Sequence, residues 1–450
     1  MNASPRAAAG TERLAAPPPR AVSSWGRLSQ LPHETHALFD RTRLPLPSTQ
    51  APALPFGNGR SYGDSCLNSQ GALWLMRGLD RYIAFDPDTG VLECESGVLL
   101  DDIISTLLPR GWFLPVTPGT RYVTLGGAVA NDVHGKNHHR AGTLGHHVLG
   151  LTLLRTDGTR IECSPTVQAD WLGATIGGLG LTGVITSVRL QMLRVRGPWI
   201  DGETLPFGTL ADFFALSAQS EASHDYIVSW IDCVHGGAGE TRGVFFRGNH
   251  AAETRAAPAS RTRSLPLTPP VSLVNRLSLR AFNSVYFRMQ QARAGRRREH
   301  LLPFFYPLDG LLGWNRIYGP RGFYQYQCVV PRAVQAEATA ELLAAIRHSG
   351  RGSFLAVLKT FGDRPNAGML SFPMAGTTLA LDFPNEGAVT EALFQRLDAV
   401  VREAGGRLYP AKDARMPREL FLAGHPRLAE FQRYRDPGIA SDLSRRLLDA

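Results

Sequence analysis

Three glycine-rich stretches hold the residues whose types and spacing could do chemistry. The first is Pro55-Phe56-Gly57-Asn58-Gly59-Arg60-Ser61-Tyr62-Gly63-Asp64. Closely spaced glycines reach positive φ and let backbone N–H groups converge on an anion, for which a diphosphate is a natural guest. No Gly-Lys-Ser/Thr follows, so this is not a nucleoside-triphosphate loop of the Walker type. The second runs from Pro118 through Gly119, Thr124, Leu125, Gly126, Gly127 and Ala128 to Asn131, Asp132, Val133, His134, Gly135, Lys136, Asn137, His138 and His139. Its Gly-Gly-Ala run lets the chain pass close to a flat cofactor, and its polar tail supplies donors. His134 and His138 stand four apart, but Gly135 and the polar run oppose a helix holding both, and no acidic third ligand is at hand. No metal is therefore expected. The third, Gly177-Gly178-Leu179-Gly180-Leu181-Thr182-Gly183, contains Gly-x-Gly-x-x-Gly. A dinucleotide fold of the Rossmann type needs a helix next, whereas VITSVRLQML is β-branched and alternating. The stretch reads as a tight corner or as a second backbone approach to the same nucleotide.

The elements that must position these stretches mix strands and helices. VLECESGV alternates like a strand, and DDIISTLLPRGW reads as a short helix stopped by Gly111. VLGLTLLRTDGTRIECSP is a hairpin turning at Asp157-Gly158, and TGVITSVRLQML is another strand. The character changes near residue 196. Residues 226–248 and 321–332 read as strands, and the Pro/Arg-rich stretch 256–300 between them reads as a mobile loop. AVQAEATAELLAAIRH forms a helix before Gly350, and TEALFQRLDAVVREAGG another closed by Gly405-Gly406. A short segment, RLYPAKDARM, precedes a mostly polar helical C-terminus. The pattern is α+β.

Composition narrows the class. A chain of 450 residues with 43% hydrophobic content is too long for one ordinary core, so two large domains are expected. No run of about 18 apolar residues occurs, which opposes a membrane-spanning helix. Residues 1–22 read as a disordered Ala/Pro tail without a secretory core. Cys66, Cys94, Cys163, Cys233 and Cys328 are odd in number and widely spaced, which opposes a disulfide framework and fits a reduced cytoplasmic compartment. The net charge is +9, and residues 251–300 carry ten arginines against Glu253 and Glu299. Such a segment suits phosphate, nucleic acid or anionic lipid, or is simply solvated. Confinement of the charge to one segment, with no recognised nucleic-acid motif, opposes nucleic-acid binding.

In this order, the three stretches resemble the FAD-binding domain of the vanillyl-alcohol-oxidase, or PCMH-type, flavoproteins. From Trp25 to the C-terminus the chain resembles more closely the decaprenylphosphoryl-β-D-ribose 2′-oxidase family. The marks are GRSYGD (59–64), PGTRYVTLGGAVANDVHGKNHH (118–139), GLGLTG (178–183), WNRIYGPRGFYQYQ (314–327), SFLAVLKTFG (353–362), LSFP (370–373), LDFP (381–384) and GGRLYPAKDAR (405–415). The resemblance implies a two-domain PCMH-type FAD-binding fold with a substrate domain built on an antiparallel sheet. Residues 23–195 would form the FAD-binding domain, 196–405 the substrate domain, and 406–450 a segment returning to the FAD domain. Residues 55–65, Ser65 included, would wrap the FAD diphosphate. Gly119, Thr124 to Gly127, Asn131 to His134, Ile185 and Tyr409 would continue the site. Relatives that attach FAD covalently do so through a His in a Gly-x-x-His-Ser pattern. Arg60 stands at that place here, so non-covalent FAD is expected.

By the same resemblance Lys412 sits beside the isoalloxazine and Tyr62 near the cofactor, these two and His134 being the expected catalytic residues, and His134, Lys136, Gln325, Gln327, Lys359 and Lys412 line the substrate pocket. A lone lysine is ordinarily a solvated surface group, and alternating glutamines are ordinarily a polar sheet face. A buried Lys412 would instead have a lowered pKa and could act as a base or stabilise negative charge. Mycobacterial members carry Cys where this chain has Ala380, and Trp and Asn where it has Thr377 and Thr378, so the smaller Thr377 and Ala380 would reshape the pocket wall. The implied reaction is oxidation of the 2′-hydroxyl of a polyprenylphosphoryl-β-D-ribose to the 2′-keto sugar, the first half of epimerisation to the arabinose form. An NAD(P)H-dependent keto-sugar reductase would be the partner. The arginine-rich segment would meet the membrane surface at the inner, cytoplasmic face. The alternative is an FAD enzyme oxidising a soluble sugar, alditol or aldonolactone.

Overall fold

The computed structural model describes residues 20–42, 46–47, 49–236, 240–255 and 262–449. The tail assigned to 1–22 lies outside these except for residues 20–22, which are a strand and not a tail. This strand, β1 (Arg20–Val22), pairs antiparallel with β2 (Leu31–Ala37). With β3 (Leu54–Phe56) and β4 (Ala72–Leu75) they form a four-stranded sheet in the order β1-β2-β4-β3. A tripeptide is too short to show period-two patterning, so only its partner reveals it.

Next come β5 (Tyr82–Phe85), β6 (Val91–Glu95), β7 (Trp112–Phe113), β8 (Val148–Leu154), β9 (Arg160–Cys163), β10 (Val184–Gln191) and β11 (Leu193–Arg194). Five of them make an antiparallel sheet, β5-β6-β10-β8-β9, while β7 and β11 pair apart. The predicted hairpin is β8–β9, with Gly158 at φ 87° in its turn. The predicted helix spans Leu100–Leu107 and ends, after a further short turn, at Gly111 with φ 82°. The third glycine stretch feeds β10, a strand, so the Rossmann reading fails as expected.

The largest sheet has eight antiparallel strands: β12 (Trp199–Thr209), β13 (Tyr226–Ile231), β14 (Glu240–His250), β16 (Gly295–His300), β18 (Phe323–Pro331), β19 (Ala356–Phe361), β20 (Gly376–Pro384) and β21 (Arg407–Leu408). Their order is β16-β12-β14-β13-β19-β20-β18-β21, while β15 (Arg263–Ser264) and β17 (Leu311–Leu312) pair apart. One face of β18, β19 and β20 is apolar. Tyr326, Cys328, Leu358, Leu379, Leu381 and Phe383 pack against Leu342, Leu343, Ile346, Phe394 and Leu397 of the helices Gln335–Ser349 and Ala388–Glu403. Alternation sends the intervening residues to the opposite face, where the site lies.

Within the stretch expected as a mobile loop, 256–300, residues 256–261 lie outside the described residues and 262–300 are not the loop their composition suggested. Residues 276–292 form a 17-residue helix whose Asn275 cap accepts from Leu277 N at 3.0 Å and Ser278 N at 3.1 Å, and β16 pairs with β12. The helix escapes pattern reading because its pattern is mixed. Leu279, Asn283 and Gln290 point inward, with Asn283 donating to Asp232 at 2.8 Å, while Leu277, Val285 and Met289 point outward.

After β21 the chain packs back on the first sheet, where Ala53 N donates to Gly438 O at 2.9 Å. Arg446 closes the return, donating to both carboxylate oxygens of Asp64 at 2.9 and 3.0 Å and to Asp413 at 2.9 Å. Arg446→Ala leaves two largely buried carboxylates facing each other unpaired. A loss of about 3 kcal/mol is expected in urea unfolding. Arg446→Lys should recover only part of it, since an ammonium cannot match the bidentate fork.

Candidate active site

A cavity of about 590 Å³ opens where the three glycine stretches meet the large sheet. Gly57 lies so close to the helix Leu125–Ala130 that a Cβ there would meet Thr124 Oγ1 at 2.3 Å, and Gly59 takes φ 58°. Asn58 anchors the loop by donating to Tyr122 O at 2.7 Å, and the Arg60 guanidinium lies 4.2 Å from the Trp25 ring centroid. Leu179, Gly180, Gly183 and Ile185 bring the third stretch to the same wall. Four buried polar atoms of this wall have no hydrogen-bond partner among the described residues: Arg60 Nε, Ser65 Oγ, Ser96 Oγ and Asn131 Oδ1. Gly119 and Gly180 leave open space where a Cβ would stand. Unmet hydrogen-bonding groups spread along a glycine-lined wall fit an extended dinucleotide such as FAD.

The opposite wall is the polar face of the large sheet. Gln325 and Gln327 of β18, Thr378, Ala380 and Asp382 of β20, and Val357 and Lys359 of β19 alternate toward the cavity. Gln325 Nε2 donates to Asp382 at 2.6 Å across the strand pair. Burial pushes the Asp382 carboxyl up and the Lys412 ammonium down, and the attraction between them opposes both shifts. The Lys412 Nζ lies 3.9 Å from the centroid of the Tyr62 ring, whose phenol burial holds well above its ordinary pKa.

Lys359 Nζ is 3.0 Å from His134 Nδ1 and donates to Gly135 O at 3.1 Å, while Gln327 Nε2 is 3.1 Å from His134 Nε2. Burial holds His134 well below its ordinary pKa, so the ring is neutral, with one donor and one acceptor nitrogen. Gln327 Nε2 also donates to Thr378 Oγ1 at 3.3 Å, so the neutral ring is held between an amide and an amine. Burial brings the Lys359 pKa down to about 7. Lys136, brought down to about 8 by burial, donates to Phe305 O at 3.4 Å. Three lysines and Arg60 therefore line a cavity whose carboxylates are Asp309 and Asp382.

Most of the expected site residues meet in this cavity: Pro55, Gly57 to Tyr62, Ser65, Gly119, Thr124, Gly126, Gly127, Asn131, Val133, His134, Lys136, Ile185, Gln325, Gln327, Lys359, Tyr409 and Lys412. Five others do not line it. Phe56 and Leu125 pack in the cores, and Gly63 abuts the Asp413 carbonyl. Asp64 pairs with Arg446, and Asp132 accepts from Gly145 N at 3.0 Å and Ser371 Oγ at 2.5 Å. Thr377 is corrected too: strand alternation turns it to the other face, where it donates to Gln335 at 2.8 Å, while Thr378 and Ala380 line the wall. Trp25, Ser96, Asp309, Trp314 and Asp382 line the cavity and were not expected to. Trp314 and Asp382 lie in stretches that carry the family resemblance, while Ser96 gave no signal beyond its strand.

Residues 46–164 match the model of the FAD binding domain family. Together with the cavity this defines the class: an FAD-dependent oxidoreductase of the PCMH type acting on CH–OH groups. The chain is 36% identical over 408 residues to decaprenylphosphoryl-beta-D-ribose oxidase of Mycolicibacterium smegmatis, covering 87% of this chain and 88% of that one. It is 33% identical over 370 residues to an uncharacterised Streptomyces coelicolor protein, covering 78% of this chain and 100% of that one. Mouse L-gulonolactone oxidase is 34% identical over 137 residues, 30% of each chain. The chain belongs to the decaprenylphosphoryl-β-D-ribose oxidase family.

The buried lysines make stability depend on pH. Lys359 titrates near pH 7 when folded and near 10.5 when unfolded. The folded state therefore binds fewer protons between those values, and stability rises with pH across the window. The penalty is full below about pH 7 and gone by about pH 10.5. For the cofactor-free protein, Lys359→Met should flatten the rise in unfolding free energy between pH 7 and 9 by up to about 1.4 kcal/mol per pH unit. Equal slopes in the two proteins would refute the assignment.

Proposed function

We propose that this enzyme oxidises the 2′-hydroxyl of a polyprenylphosphoryl-β-D-ribose to the 2′-keto sugar, the first half of epimerisation to the arabinose form. The observation that carries the reading, beyond family membership, is the row of Lys136, Lys359 and Lys412 in a cavity with few carboxylates. Buried ammonium groups in excess call for an anionic guest, which a phosphate-bearing sugar is and a neutral alditol is not. Apolar Phe305, Leu308, Leu311 and Leu312 on the same cavity wall suit the start of a prenyl chain.

In this reading residues 23–195 with 406–450 form the FAD unit and 196–405 the substrate unit. FAD, when bound, supplies the two-electron acceptor for the hydride leaving the carbinol carbon. It is held by the 57–62 loop, the second stretch and Tyr409, without a covalent bond, because Arg60 occupies the place of a linking histidine. Lys412 is the residue we place at the reacting hydroxyl. Its lowered pKa leaves a free-amine fraction near neutral pH that takes the hydroxyl proton, and Asp382 stabilises the ammonium that results. Tyr62 packs under the Lys412 side chain and keeps water from it. Lys136 and Lys359 hold the phosphate, while Gln325, Gln327 and His134 orient the sugar by hydrogen bonds. The keto product calls for an NAD(P)H-dependent reductase, and the prenyl chain calls for a peripheral place at the cytoplasmic face of the membrane. Among the described residues no helix is long and apolar enough to cross a membrane.

Without oxygen, the flavin absorbance of the purified protein should bleach on adding a polyprenylphosphoryl ribose. Lys412→Met should keep its flavin and slow bleaching at least about 100-fold. Lys136→Met should raise the KM for the phosphorylated substrate more than it lowers kcat. Acid precipitation should release all the flavin into the supernatant. Bleaching by neutral alditols or lactones, and not by the phosphoryl ribose, would overturn the reading.

A further inference from the structure

The arginine-rich part of the chain is two surfaces, not one. At its end the charges are matched: Arg298 pairs with Asp201 and Glu253, Arg296 with Glu203, and Arg297 with Glu299. Residues 262–294, by contrast, contain no Asp or Glu. On the helix Arg276–Ala292, Leu277, Ala281, Val285 and Met289 form one exposed row at four-residue spacing, with Leu277 80% and Val285 66% exposed. Arg276, Arg280 and Arg288 form the adjacent row, also exposed, and Arg293 follows the helix. A helix in a soluble protein ordinarily shows the reverse, polar outward. An outward apolar row flanked by arginines is the arrangement of helices that lie in a bilayer interface.

The apolar surface does not stop at the helix. Leu267, Val271 and Leu273, on the segment leading into it, are exposed as well. That segment is bonded to the rim of the cavity: Leu265 N donates to Leu312 O at 2.9 Å, and Leu273 N to Ile317 O at 2.8 Å. Leu311 and Leu312 are both exposed and part of the cavity wall. On the other side Phe282 of the helix packs edge-on against Phe354 at 4.7 Å, one residue before Leu355 of the wall.

We infer that the face made by residues 265–293 with Leu311 and Leu312 docks the protein on a bilayer containing anionic lipid, setting the cavity rim at the membrane surface. The apolar rows enter the acyl boundary, and the arginines, which have no acidic partner among the described residues, meet lipid phosphates. The face is argued from its own residues. Its pairing with delivery of a lipid-borne substrate rests on the function proposed above.

The test is co-sedimentation of the FAD-loaded enzyme with phosphatidylcholine vesicles, with and without phosphatidylglycerol. Binding should require phosphatidylglycerol and weaken with salt. Arg280→Gln/Arg288→Gln should lower the partition coefficient about 25-fold, at roughly fivefold per arginine. Leu277→Glu/Val285→Glu should abolish binding. Both variants alter exposed side chains and should bleach at the wild-type rate with a short-chain, water-soluble polyprenylphosphoryl ribose. Variants that bind as wild type does, or a wild type that ignores lipid charge, would overturn the inference. So would a dimer that these substitutions dissolve, because the face would then belong to a second copy. If bleaching occurs in solution but no vesicle binding is seen, the surface inference fails and the catalytic one stands. If vesicle binding follows the pattern above and nothing bleaches, the reverse holds.

Discussion

Burying ammonium groups in excess of carboxylates is the constraint around which the rest of this protein is arranged. Each lysine lost water on folding, and each is repaid locally by a different device. Lys136 has the Phe305 carbonyl, Lys359 has the Gly135 carbonyl and a neutral imidazole, and Lys412 has an aromatic face with a buried carboxyl nearby. None of these partners is a full counter-charge in contact, so the cavity stays electrostatically hungry. The eight-stranded sheet makes this possible because β18, β19 and β20 present an apolar face to two helices and a polar face to the cavity.

How much of this can be read from the chain depends on whether the signal is local. The glycine stretches are local: their conformational licence is written in their composition, and the cavity forms where all three converge. Gln325 and Gln327 are local too, since period-two spacing puts both on one face whichever face that proves to be. Asp382 is not. Its chemistry arises from register, which sets it opposite Gln325, and no spacing within β20 alone announces that. Thr377 shows the same limit from the other side. It adjoins a wall residue in sequence, and the pleat turns it away.

The helix Arg276–Ala292 is the clearest failure of pattern reading, and the reason is physical. Hydrophobic periodicity marks a core-facing stripe only when the outside is polar. Here Asn283 and Gln290 face in beside Leu279, and Leu277, Val285 and Met289 face out. The apolar residues on both sides blur the period, the preceding prolines suggest a loop, and the arginines suggest solvent. An outward apolar row is illegible to rules that assume a polar exterior.

The arginine clamp also couples parts of the site that lie far apart in sequence. Arg446 joins the glycine loop, through Asp64, to the turn that carries Lys412, through Asp413. Asp64 lies 382 residues from Arg446 in sequence and Asp413 lies 33, so one guanidinium ties a distant loop to a nearby turn. A change at Arg446 therefore reaches the cavity from two sides at once, through the glycine loop and through the turn that carries the buried lysine, while touching neither wall directly.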